Sequence, residues 1–181
     1  GIENVAVGSS SLFANTTGFY NTGVGTSALS WNTGGMSNCA FGNAAMYYNT
    51  TGSYNTAAGE YSLLYNTIGN QNTATGRHAS YRNVSGNYNT SMGSSALREC
   101  VDGWGNTGIG FETMINTISA SYNTALGYRA GANATNGWNN TFVGAEAQAA
   151  NTELFNCIAI GNVAFTTASN QVRIGNSSNN S

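Results

Sequence analysis

Few residues in this chain could do chemistry. His78 is the single histidine and Asp102 the single aspartate among 181 residues. A nucleophile needs a base beside it, and His78, next to Arg77, reads as an exposed surface residue rather than half of such a pair. Glycoside hydrolysis needs two carboxylates across a cleft. The acids are Glu3, Glu60, Glu99, Asp102, Glu112, Glu146 and Glu153, and several stand a fixed distance from an arginine instead. Glu60 precedes Arg77 by seventeen residues, and Glu112, Arg129 and Glu146 follow one another at the same interval. These read as structural charge ladders. Cys39, Cys100 and Cys157 match no zinc spacing. The expectation is a chain with no enzymatic activity, no metal and no cofactor.

The interval of seventeen also sets out an aromatic strip. Trp31, Tyr48 and Tyr65 are followed at the same step by Arg82 and Glu99. Flat aromatic faces suit sugar rings and can take a cation on their surface. Trp31, Tyr48, Tyr65 and Arg82 are therefore a candidate glycan or receptor strip. The competing reading is an aromatic ladder that only stabilises stacking. Tyr20, Tyr54, Tyr88 and Tyr122 recur at twice the interval, an alternation with no evident cause in the sequence.

What positions these residues is a repeat. Gly8, Gly25, Gly42, Gly59, Gly76, Gly93, Gly110, Gly127, Gly144 and Gly161 stand in strict register without insertion or deletion. A fixed period of this size marks a repeat architecture. Numbering each unit from its opening residue, position 0 is asparagine from Asn4 to Asn140, with Cys157 in the tenth unit. Position 1 is mostly threonine, position 2 small, position 3 apolar and position 4 the glycine, as in Asn123-Thr124-Ala125-Leu126-Gly127. Positions 0 to 4 alternate as a short strand does. Position 7 is small and position 8 often large and apolar (Leu12, Leu29, Met46, Leu63, Leu97, Met114, Phe165), which suggests a second extended segment. Asparagine at position 11 and glycine at position 14 suggest corners with positive φ.

The implied fold is all-β: a parallel β-solenoid (β-roll or β-helix) with one coil per 17 residues. Residues 1–169 form about ten coils, and 170–181 a shortened terminal repeat or cap, because Gln171 to Gly175 repeats the motif only fourteen residues on. Ten coils stacked about 4.8 Å apart make a rod section of roughly 48 Å. So thin a coil buries little, and association of chains is expected. The small face of positions 0, 2 and 4 is expected near a partner, with threonine and the position-3 residue inside the coil. The cysteines, several coils apart, are too distant for an intrachain disulfide, and each is expected as a buried small residue.

Composition narrows the partners. The net charge is −2, and all five basic residues are arginine, so no basic footprint for nucleic acid exists. No apolar run is long enough to enter a bilayer as a helix.

The Asn-Thr-Ala-x-Gly-x-x-Ala-Leu units, joined by Asn49 to Tyr54, resemble the shaft repeats of phage tail fibres and related surface proteins. Asn156 to Gly161 is similar to the head repeat of YadA-like trimeric autotransporter adhesins. The resemblance covers nearly the whole chain. It implies a homotrimeric fibre segment at an extracellular, virion or cell surface, mediating attachment to a host, with a surface glycan or receptor as partner. The alternative is an ice- or crystal-surface binder, suggested by the regular threonine column. A polysaccharide-degrading spike ranks behind both, for want of an acid pair.

Overall fold

The chain is a parallel β-solenoid in the computed structural model, which describes residues 1–176. The strands β1 (Val5–Val7), β2 (Thr22–Val24), β3 (Cys39–Phe41), β4 (Thr56–Ala58), β5 (Thr73–Thr75), β6 (Thr90–Met92), β7 (Thr107–Ile109), β8 (Thr124–Leu126) and β9 (Thr141–Val143) recur once per coil. With β11 (Ile158–Ile160) and β13 (Val172–Ile174) they form one 11-stranded parallel sheet in coil order. Every pairing from β1 to β11 keeps the 17-residue register, for example Thr56↔Thr73 and Ala57↔Ala74. The step from β11 to β13 shortens to fourteen, with Ile158 opposite Val172. The residues around repeat position 8 form turns in most coils. They become a true strand pair only between β10 (Gln148–Ala149) and β12 (Phe165–Thr166).

The inside and outside of the coil are the reverse of the sequence expectation. Asn21, Asn55, Ala57, Ala74, Asn106 and Ala125, at positions 0 and 2, are fully buried. Phe41, Met92, Ile109, Leu126 and Ile160, at position 3, stand 37–47% exposed on the outer sheet face. The threonines of position 1 lie on that same outer face, half-buried or exposed. The small face packs against the position-8 residues Leu29, Met46, Leu63, Leu97 and Met114, all fully buried, across a coil too narrow for two large layers. It is not a partner-facing surface.

Two asparagine columns run inside this interior. At position 0, each side-chain amide donates to a carbonyl fourteen residues ahead, as Asn38 to Gly52 at 2.8 Å. Its Oδ1 accepts the backbone N–H of the next coil's asparagine, as Asn55 to Asn38 at 3.0 Å. The column holds from Asn4, through Asn140, to the N–H of Cys157. At position 11, Asn32, Asn49, Asn66 and Asn83 each donate to the Oδ1 one coil below at 2.6–2.9 Å. A buried amide is costly unless bonded, and stacking identical amides satisfies both ends of each.

The corners also differ from expectation. Positive φ falls at positions 4, 6, 8 and 16, not at the position-11 asparagines or the position-14 glycines. The position-4 glycines have φ of 122–140°, open only to glycine, and a Cβ on Gly25 would sit 2.4 Å from the next coil's Gly42 oxygen. The position-14 glycines are needed for close approach alone: a Cβ on Gly35 would lie 2.3 Å from the Gly52 oxygen. Leu29, Met46 and Leu63 adopt φ near 50° at a cost of roughly 1–2 kcal/mol each. The stack imposes this conformation, since the N–H of Leu29 is thereby turned onto Ala45 O of the next coil at 3.0 Å.

One coil changes the interior without changing the path. Gly131 stands where most other coils carry leucine or methionine, and Phe142 stands at a position that is small elsewhere. Phe142 is fully buried, its ring 2.8 Å from where a Gly131 Cβ would be. The large side chain has moved across the coil. Phe165, expected in the core, is 40% exposed.

Candidate functional site

The position-10 residues lie outward because position 11 points inward and the chain turns between positions 8 and 11. Trp31, Tyr48 and Tyr65 are 39–51% exposed. Tyr48 and Tyr65 stack in parallel, centroids 5.2 Å apart at 7°. Trp31 does not stack on them. Together with Thr50 and Thr67 the three line a cleft of about 360 Å³. A second cleft of about 470 Å³ continues it at Tyr65 and Thr67, lined further along by Tyr81, Arg82, Val84, Arg98 and Glu99. The two make one groove along the rod. One wall is the aromatic and charged strip. The other is the position-12 column, whose Thr50 and Thr67 hydroxyls donate to carbonyls of the next coil at 2.8 and 3.0 Å.

Charge in the groove is paired. Arg82 Nη1 lies 3.1 Å from Glu99 Oε2, and Arg98 Nη1 lies 3.2 Å from the other oxygen of the same carboxylate. The cation–ring contact belongs to position 9: Arg98 sits over Tyr81 at 5.6 Å. Tyr81 also meets Tyr65 edge to face at 5.2 Å. Burial, with the neighbouring Tyr65 hydroxyl, holds the Tyr81 phenol above its ordinary range. His78 is half-buried, stacked on Tyr61 at 5.5 Å and edge-on to Tyr81 at 5.2 Å. Partial burial and the cations Arg77 and Arg98 lower its pKa. No carboxylate lies against it as a catalytic base would need; its partners are rings.

The remaining ladder residues sit on other faces. Arg77 Nε is 3.1 Å from Glu60. Arg129 Nε is 3.4 Å from Glu112. Glu146, one coil on, shares a small cleft with Arg129, Ala132, Asn133 and Gln148, but Arg129 is ion-paired to Glu112 instead. All of these arginines are substantially exposed, so each pair contributes below about 1 kcal/mol.

The cysteines are all free. Cys100 and Cys157 are buried, and burial pushes the Cys100 thiol up to about 12. Cys39 departs from expectation: it takes a threonine's place on the outer sheet face and is only half-buried. Among the described residues no group of three His, Cys, Asp or Glu could hold a metal, and no helix is long and apolar enough to cross a membrane.

Sequence reasoning missed the position-9 contribution, Tyr81 and Arg98. The signal was available: both precede a position-10 residue of the strip, and two adjacent outward residues follow wherever the chain turns. The chain matches no family model, and no curated protein matches it.

Proposed function

We propose that the chain is a structural and adhesive segment of a surface fibre, of the kind its repeats resemble in phage tail fibres and trimeric adhesins. The observation that carries this reading is the outer sheet face. Eleven strands in line present a column of apolar side chains and a column of threonine, with no charged residue at either position. An uncharged, half-apolar strip roughly 50 Å long is the surface a thin rod needs for joining further copies of itself. Large exposed apolar patches mark interaction sites. The expected assembly is a homotrimer at an extracellular, virion or cell surface, with attachment to a surface glycan or receptor through the remaining faces. Light scattering tests it: a mass three times the 18.7 kDa of the chain is expected, and a monomer would remove the fibre reading.

A second reading is favoured by one observation. The threonines Thr22, Thr56, Thr73, Thr90, Thr107, Thr124 and Thr141 lie on the outer face of the parallel sheet, one per coil with a gap at Cys39, and an ice- or crystal-binding face requires such a rank. Against it, the neighbouring rank at position 3 is apolar except at Thr75. Thermal hysteresis in a dilute solution would favour this reading over the fibre.

A further inference from the structure

The alternating tyrosines are a second outward feature, and their geometry differs from the groove. Tyr20, Tyr54, Tyr88 and Tyr122 have nearly identical backbones, with φ of 59–61°. They are 53–61% exposed, more than any ring of the groove strip. The intervening coils carry Ser37, Gln71 and Gly105 at the same position. The alternation has a steric cause where it is clearest. A Cβ on Gly105 would lie 2.9 Å from Tyr122 Cδ1 and 3.1 Å from its Cε1. The Tyr122 ring thus reclines over the preceding coil, which must be small there. Tyr54 reaches back in the same direction, its hydroxyl 3.9 Å from Met36 Sδ. None of the four is stacked face to face with another ring; Tyr20 meets Phe19 edge-on and Tyr88 meets Trp104 at a tilt.

The result is a row of exposed rings at the same position of every second coil, about 9.6 Å apart and about 29 Å from first to last, with Tyr54 and Tyr122 lying back over the preceding coil. Positions 15 and 16 carry no charged side chain from Phe19 to Asn156. Aromatic faces in a straight, uncharged row select a ligand that is straight, uncharged and apolar on one face at the same repeat. In an extended β-1,4-linked pyranose chain each ring is flipped by half a turn relative to the last. The same C–H face therefore returns at every second sugar, a distance close to two coils. An α-linked chain curls and does not return in line. We propose that Tyr20, Tyr54, Tyr88 and Tyr122 form a rail that binds an uncharged β-1,4-linked polysaccharide laid along the rod, one tyrosine under every second sugar.

The proposal is separate from the trimeric reading, and one sample tests both. The purified chain is mixed with microcrystalline cellulose, with chitin and with amylose, and its mass is measured by light scattering. Retention on cellulose or chitin, and not on amylose, is expected. Tyr88→Gln, a residue this position already accepts at Gln71, should weaken partition roughly threefold to tenfold, the worth of one aromatic contact. Asn139→Tyr combined with Tyr122→Gln keeps the number of tyrosines but moves the last one out of the two-coil spacing, and should bind no better than Tyr122→Gln alone. Full retention by that shifted variant, equal binding to amylose, or no binding to either β-1,4 polymer would overturn the rail. A chain that binds as a monomer would leave the rail standing and remove the fibre.

Discussion

The two halves of the rod keep one coil path with different interiors. From Leu12 to Ala79 the apolar core is a uniform column of leucine, methionine and alanine, flanked by both asparagine ladders. From Leu97 onward it includes Cys100, Ala134, Phe142 and Leu154, and position 11 no longer carries a stack of amides. The halves meet at a polar seam. Ser80 and Ser91, in place of a core leucine and alanine, bond to each other at 2.9 Å. Beside them the second ladder ends at Asn83, whose Oδ1 is buried without a partner because Cys100 follows it. The coil path therefore depends on the features common to both halves: the position-4 glycines, the position-0 asparagines and the backbone bonds between coils. What fills the centre is negotiable: the large side chain can sit on either side of the coil, as at Phe142, and a bonded serine pair can replace it, as at Ser80 and Ser91.

This comparison can be broken or sharpened experimentally. The largest effect should come from Phe142→Ala, which empties the widest part of the C-terminal core and should cost about 3–5 kcal/mol by denaturant unfolding. Adding Gly131→Leu returns the large residue to its usual side, at a positive φ (65°) in the same left-handed region as the 49–52° of the leucines in other coils. The double variant should recover much of that loss. If it is no better than Phe142→Ala alone, the exchange of volume is not what lets this coil differ.

Removing one rung of the common ladder comes next. Asn72→Ala strips the donor from Gly86 O and the acceptor from the Asn89 N–H. At about 1–3 kcal/mol for each buried group left unpaired, the loss should be about 3 kcal/mol, and a similar loss is expected from Asn123→Ala in the other half. A much smaller loss at Asn123 would mean that the apolar half does not need the ladder.

A gain is expected at the seam. Cys100→Asn supplies a donor to Asn83 Oδ1 and should stabilise by up to about 1 kcal/mol; destabilisation would show that the ladder cannot be extended into the apolar half. The smallest effect belongs to the surface. Arg129→Gln removes an exposed ion pair and should change stability by less than about 0.5 kcal/mol.

The repeat made the fold legible. Ten glycines in register dictate stacked coils, and the 17-residue interval alone brings Glu60 to Arg77 and Arg82 to Glu99. The orientation of each strand was not legible. Alternation divides a strand into two faces but does not say which is inside, and small residues suit a tight interior as well as a close neighbour. Asparagine was misleading for a related reason. It is a turn residue by habit, and its role in a buried ladder exists only once the coils are stacked. Of the candidate site, the position-10 strip could be read from spacing, whereas the Arg98–Tyr81 contact and the reclining of Tyr122 depend on how a coil turns.

Which face lies inside is tested most directly by thiol accessibility at two neighbouring residues of β4. In a Cys39→Thr background, Ala57→Cys and Ala58→Cys are treated with a maleimide under native conditions. Ala57 is fully buried and Ala58 half-buried on the outer face, so labelling at position 58 within minutes and protection at position 57 until the chain is unfolded are expected. The opposite pattern, with position 57 labelled and position 58 protected, would contradict the arrangement of the whole interior.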